Sequence, residues 1–191
     1  MITKGQTLEN PVTGERLVFR STAADTDGAS VVVEAFVEPE GAVAAAHVHP
    51  YQEERFEVLA GELEFRLGKR TLVARAGDRI LVPAGTPHRF ENVGAGTAHF
   101  VCEVSPALGF EQLIETMFAL AADGKVNRKG LPSPLRLAVI ARHHFEDVRL
   151  PFPPAWLQRL GLALGAPLGR LLGFRATYQP AAPKAPTALG V

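Results

Sequence analysis

From about Val12 to Val104 the chain is a succession of short runs rich in Val, Phe, Leu, Ile and Thr, cut at close intervals by Gly, Pro, Asn and Asp. Nothing else in the sequence narrows the fold as much. The runs are RLVFRST, ASVVVEAFVE, RFEVLAGELEFRLG, RTLVARA, DRILVPA, HRFENV and TAHFVCEVS. Their spacing predicts a small antiparallel barrel or sandwich. Leu63, Phe65 and Leu67 alternate with Glu62, Glu64 and Arg66, as a strand with one buried face requires. Gly61-Glu62 and Gly68-Lys69 suit tight turns between successive strands.

After Pro106 the period changes. In FEQLIETMFALAA, residues Phe110, Leu113, Ile114, Met117, Phe118 and Ala121 form a helical stripe over 110–122, and Gly124 is a fitting stop. A second helix is expected from about Ser133 to Phe145, entered through Leu131-Pro132-Ser133-Pro134. In 151–174 the Gly and Pro content is expected to break or kink any long helix. The division read from this is a β-barrel over 1–105, a helical extension over 106–177 that packs on the barrel or a partner, and a Pro/Ala-rich tail over 178–191 expected to be disordered.

Two segments carry the chemistry. The first reads Gly41-AVAAA-His47-Val48-His49-PYQE-Glu54-RFEVLA-Gly61, the second Gly77-DRILV-Pro83-Ala84-Gly85-TP-His88-RFE-Asn92. On a strand, residues i and i+2 share a face, so His47 and His49 project together. A carboxylate a short loop later and a third histidine would complete a three-nitrogen, one-oxygen site suited to a divalent transition metal.

Together the segments resemble the two signature motifs of the cupin superfamily. Gly41, His47, His49, Glu54 and Gly61 match the first, and Gly77, Pro83, Gly85, His88 and Asn92 match the second. The resemblance covers roughly residues 35–105. It implies an all-β core of the double-stranded β-helix, or jelly-roll, type with a metal in its mouth. It also implies His47, His49, Glu54 and His88 as metal ligands, for iron, nickel, manganese, copper or zinc. Glu53 is the rival to Glu54. With Glu54 as ligand, Phe56 and Val58 share its inward face, and Glu53 becomes an outward carboxylate or one that orients a ligating imidazole. Gly77 and Gly85 read as turn residues, and Asn92 as a side chain tying the loop of His88 to its neighbour.

The family does not fix the reaction. The leading expectation is a dioxygenase acting on a small phenolic or enolisable substrate, with Glu54 as the general base. The alternatives are a non-redox lyase, decarboxylase or isomerase using the metal as a Lewis acid, and a non-catalytic small-ligand-binding barrel. A sugar-nucleotide epimerase fits least, because that branch relies on a His–Asp pair.

Other residues read more plainly. His99 is a packed or edge residue of its strand, or a base near the site if it faces inward. His143 and His144 suit a helix C-terminus. Cys102, the only cysteine, reads as a small buried hydrophobe. Arg55, Arg66, Arg75, Arg79 and Arg89 could each bind an anionic substrate but suit solvated strand faces. Twenty basic and twenty acidic residues cancel, so no nucleic-acid or acidic-lipid partner is expected. The single cysteine, the lack of a secretory apolar stretch and the absence of a long apolar run lead to a cytoplasmic protein as the expectation. For 156–174, packing within the chain or in a homodimer is expected in preference to contact with a membrane.

Overall fold

A computed structural model of the chain describes residues 1–179. All but two residues of the tail expected to be disordered therefore lie outside the described residues.

Nine strands form two antiparallel sheets. They are β1 (Thr7–Asn10), β2 (Glu15–Ser21), β3 (Val31–Val37), β4 (Glu53–Ala60), β5 (Glu62–Leu67), β6 (Arg70–Arg75), β7 (Arg79–Val82), β8 (His88–Asn92) and β9 (Ala98–Ser105). The six-stranded sheet runs β1-β2-β3-β9-β4-β7 and the three-stranded sheet β6-β5-β8. This is the expected jelly-roll barrel. Strand β1 gives no signal in the sequence because TLEN has one apolar residue, Leu8, and pairs only at the sheet edge, against β2.

Strands with one buried face build the core. In β4 the inward set is Glu54, Phe56 and Val58, and in β8 it is His88, Phe90 and Asn92. Phe56, Phe65, Phe90 and Phe100 meet with ring centroids 5.0–6.1 Å apart. Each contributes about 1.5–3 kcal/mol by burial, and together they fill the barrel next to Glu54 and His88. Gly61 makes the β4–β5 turn. Its φ is +79°, and a Cβ there would stand 2.7 Å from the Ala98 Cα, so no other residue fits without moving β9.

Three helices follow: α1 (Phe110–Ala122), α2 (Pro134–His143) and α3 (Ala155–Leu171). Helix α1 has the expected limits and closes the barrel, with Phe110 and Phe118 in the core and Ile114 and Met117 packed against it. The expected break in 151–174 does not occur. Helix α3 runs unbroken for 17 residues with Pro167 inside it. Two of its glycines serve close packing instead. A Cβ on Gly169 would lie 2.5 Å from the Leu135 carbonyl oxygen and one on Gly165 would lie 3.2 Å from the Ala138 Cβ, so both glycines let α3 lie against α2. Among the described residues no helix is long and apolar enough to cross a membrane.

Candidate metal centre

His47, His49, Glu54 and His88 come together at one end of the barrel, each offering a ligand atom within 4.8 Å of the others. His49, Glu54 and His88 are buried, and His47 is partly covered. Glu54 enters from β4 and His88 from the first position of β8. His47 and His49 do not stand on a regular strand as expected. They lie in an irregular segment between β3 and β4, held by single bridges from His47 to His88 and from Val48 to Arg149. The i, i+2 relation still places both rings together, with centroids 4.9 Å apart.

Backbone carbonyls orient all three imidazoles. The Nδ1 of His47 lies 2.9 Å from the Ala45 oxygen, that of His88 2.9 Å from the Thr86 oxygen, and that of His49 2.7 Å from the Asp147 oxygen. A carbonyl only accepts, so each Nδ1 carries the proton and donates it. In the neutral rings, each Nε2 lone pair is then free to face the cluster. This is the arrangement by which proteins fix the tautomer of a metal-binding histidine.

Electrostatics point the same way. Burial raises the Glu54 carboxyl, but contact with His88 and the charges of the three imidazoles outweigh it and hold the group down at about 2. Burial and the neighbouring His88 and His49 push His47 down to about 3, so it stays neutral. The His88 pKa is raised: burial opposes this, but Glu54 and the Thr86 carbonyl prevail. Glu54 Oε2 and His88 Nε2 sit 2.6 Å apart without the alignment of a hydrogen bond, and both are buried without a partner. A buried carboxylate oxygen and an imidazole nitrogen left unpaired in this way, beside two more nitrogens, fit a divalent cation.

Glu53 points away from the cluster and pairs with Arg55 at 2.6 Å. Arg55, Arg66, Arg75, Arg79 and Arg89 all sit in ion pairs with outward glutamates, so none reaches the site. His99 faces outward too, 2.7 Å from Glu34 and stacked on Phe36. Cys102 is buried, and burial beside Glu54 and Glu103 raises its thiol pKa well above the ordinary value, which leaves it unreactive. Asn92 bonds the Val37 and Gly96 carbonyls, so it ties the β8–β9 turn to β3 at the end of β8 remote from His88. The turn holding His88 is tied instead by Gly85, whose N–H meets the His49 carbonyl at 2.8 Å.

Three residues of the site's surroundings have no signal in the sequence. Gln52 is buried, accepts from His49 Nδ1 at 3.0 Å and donates to the Pro106 and Ala107 carbonyls. Asp147 gives His49 its carbonyl and takes the ring of His144 on its carboxylate at 2.7 Å. His144 is buried at the end of α2, not solvated as a residue serving only the helix dipole would be. The stretch 144–149 thus straps the helical extension to the histidine pair.

A family profile described as "Cupin domain" matches residues 33–104. Sixty residues are 42% identical to Polyketide synthase CurC of Streptomyces cyaneus, covering 31% of this chain and 39% of that protein. Ninety residues are 37% identical to Protein SchB of Streptomyces halstedii, covering 47% of this chain and 63% of that protein. This chain therefore spans only part of the length of these curated relatives. A solved structure of an uncharacterized conserved protein with a double-stranded beta-helix domain from Klebsiella pneumoniae is 25% identical, with a TM-score of 0.43 over 56% of this chain and 84% of that one.

Proposed function

Residues 33–104 of this chain are a cupin domain, and from that premise we propose that His47, His49, Glu54 and His88 hold one divalent transition metal with which the chain acts as a dioxygenase on a small enolisable or phenolic substrate. The observation that carries the reading is the shared orientation of the imidazoles: all three donate Nδ1–H to carbonyls and turn Nε2 toward one buried carboxylate. A bound transition metal would supply Lewis acidity toward an enolate or phenolate oxygen and a redox partner for dioxygen.

The chain's own groups do the rest. Glu54 is ionised at physiological pH, and its Oε2, without a hydrogen-bond partner, takes the proton the substrate loses as it enolises. The phenylalanine cluster beside it keeps water from the reacting carbon. His47 is the one partly covered member of the cluster, so substrate approaches on its side. One relative bears the name polyketide synthase. Polyketide chains carry ketones on alternate carbons, and the C–H groups between them enolise readily, which matches the proposed substrate class.

The test is elemental analysis of protein purified without chelators or an affinity metal, beside the double variant His47→Ala/His88→Ala, followed by oxygen uptake with a 1,3-diketone or a polyphenol as probe. About one equivalent of iron, nickel, copper or manganese, lost in the variant, together with oxygen uptake, is expected. Zinc, or turnover unchanged without oxygen, would move the chemistry to a Lewis-acid lyase, decarboxylase or isomerase. No metal after reconstitution would leave a ligand-binding barrel.

A further inference from the structure

We propose that helix α3 docks in the plane of an anionic lipid surface. One edge of the helix, at Ala166 and Gly169, is buried against α2. The opposite face carries Trp156, Leu160, Leu164, Leu168 and Leu171, exposed by 68, 55, 68, 54 and 84%. At 100° per residue these five form one continuous strip along a helix about 25 Å long. Phe152, 78% exposed, extends it at the N-terminal end. Apolar surface this continuous marks a place where something else sits.

Charge selects the occupant. The neutral total conceals a split: residues 1–105 carry ten basic and fifteen acidic side chains, and residues 106–191 carry ten basic and five acidic. No Asp or Glu follows Asp147, while Arg149, Arg159, Arg170, Arg175 and Lys184 do. Arg159 and Arg170 are eleven positions apart and share one flank of α3, placed for their heads to reach lipid phosphates while the strip lies among the acyl chains. Glu146 pairs with Arg159 at 2.5 Å, which leaves the flank positive at Arg170. A second copy fits less well, because antiparallel pairing about Leu164 would bring Arg159 of one copy onto the rim that holds Arg170 of the other. A folded protein partner also fits less well. Protein interfaces carry about one hydrogen bond per 100–200 Å², and apart from the two arginines the exposed residues of α3 are all apolar or glycine.

Trp156 is the only tryptophan, so its emission reports the strip directly. The full chain is mixed with vesicles of phosphatidylcholine alone, or of phosphatidylcholine and phosphatidylglycerol in equal parts. A blue shift and co-sedimentation are expected with the mixed vesicles, with binding on the order of tenfold or more tighter than to phosphatidylcholine alone and weakened by salt. The double variant Leu164→Asp/Leu168→Asp is expected to lose both signals while its barrel melts as before. Unchanged emission with the mixed vesicles overturns the proposal, as does equal binding to both. A concentration-dependent dimer that the same variant abolishes, without vesicle binding, assigns the face to a second copy and also overturns it.

Discussion

His47 is neutral and His88 inclined to protonate although they stand in one cluster, and that difference is measurable in metal-free protein. An unfolded His47 takes up its proton near pH 6.5, whereas the folded one resists until about 3. Between those values the unfolded state binds more protons, so stability falls as pH falls, by at most about 1.4 kcal/mol per pH unit. Glu54 joins only below about 4.5, since its contribution is present above its unfolded pKa and is lost on the way down to about 2. His88, with its pKa raised, contributes fully below about 6.5 and loses that contribution as pH rises through its folded value. In the window from 6.5 to 4.5 His47 is therefore the member of the cluster whose effect changes. Glu15, which burial raises to about 7, acts in the opposite sense across the same window, so the test is the difference. With a chelator present, the urea midpoint of the parent should fall relative to that of His47→Asn as pH drops through that window; equal slopes would refute the assignment. The four converging residues were legible as a spacing pattern. Gln52, Asp147 and His144 were not, because each acts through a tertiary contact, and Asp147 reaches His49 across 98 positions.

Helix α3 shows how the same residue type serves opposite ends in one element. Its glycines and Pro167 argued for a break because propensity is a local quantity. Contact with α2 overrides that local preference by using the missing Cβ atoms for a close approach. Replacing Gly169 by Ala gains up to about 1 kcal/mol of helix propensity. It also drives a methyl to 2.5 Å from the Leu135 carbonyl oxygen and 2.6 Å from Val139 Cγ2, and overpacking of that kind costs about 1–3 kcal/mol. The clash is with backbone, so it wins, and Gly169→Ala should lower the melting temperature. Gly161 meets nothing within 4 Å, so Gly161→Ala should raise it. Thermal melts of the two single variants decide the point, and a shared sign would show that α3 does not seat on α2 as described. The β-hairpin turns were readable from their glycines, whereas β1, four residues at a sheet edge with Leu8 alone apolar, offered no periodicity to read.

At the scale of the whole molecule, barrel and helices meet through the strap 144–149. Arg149 exchanges backbone hydrogen bonds with Val48 at 2.8 and 3.0 Å, and Gly109 donates to the Asp147 carboxylate. Anything that binds the folded cluster stabilises what holds it. Metal loading should therefore slow amide exchange at His144, Val148 and Arg149 as well as around His47 and His88. Protection confined to the barrel segments would show that the strap is not coupled to the cluster. The split of charge between the two parts was present in the sequence but vanished in the total, since a sum carries no position. The strap also sets an order of events during synthesis. His49 leaves the ribosome 98 residues before Asp147, which at roughly 5–20 residues per second is about 5–20 s. Through that interval its ring has no carbonyl from the strap to hold it, so the nascent barrel lacks part of the support for its metal-binding pair until the helical extension has emerged.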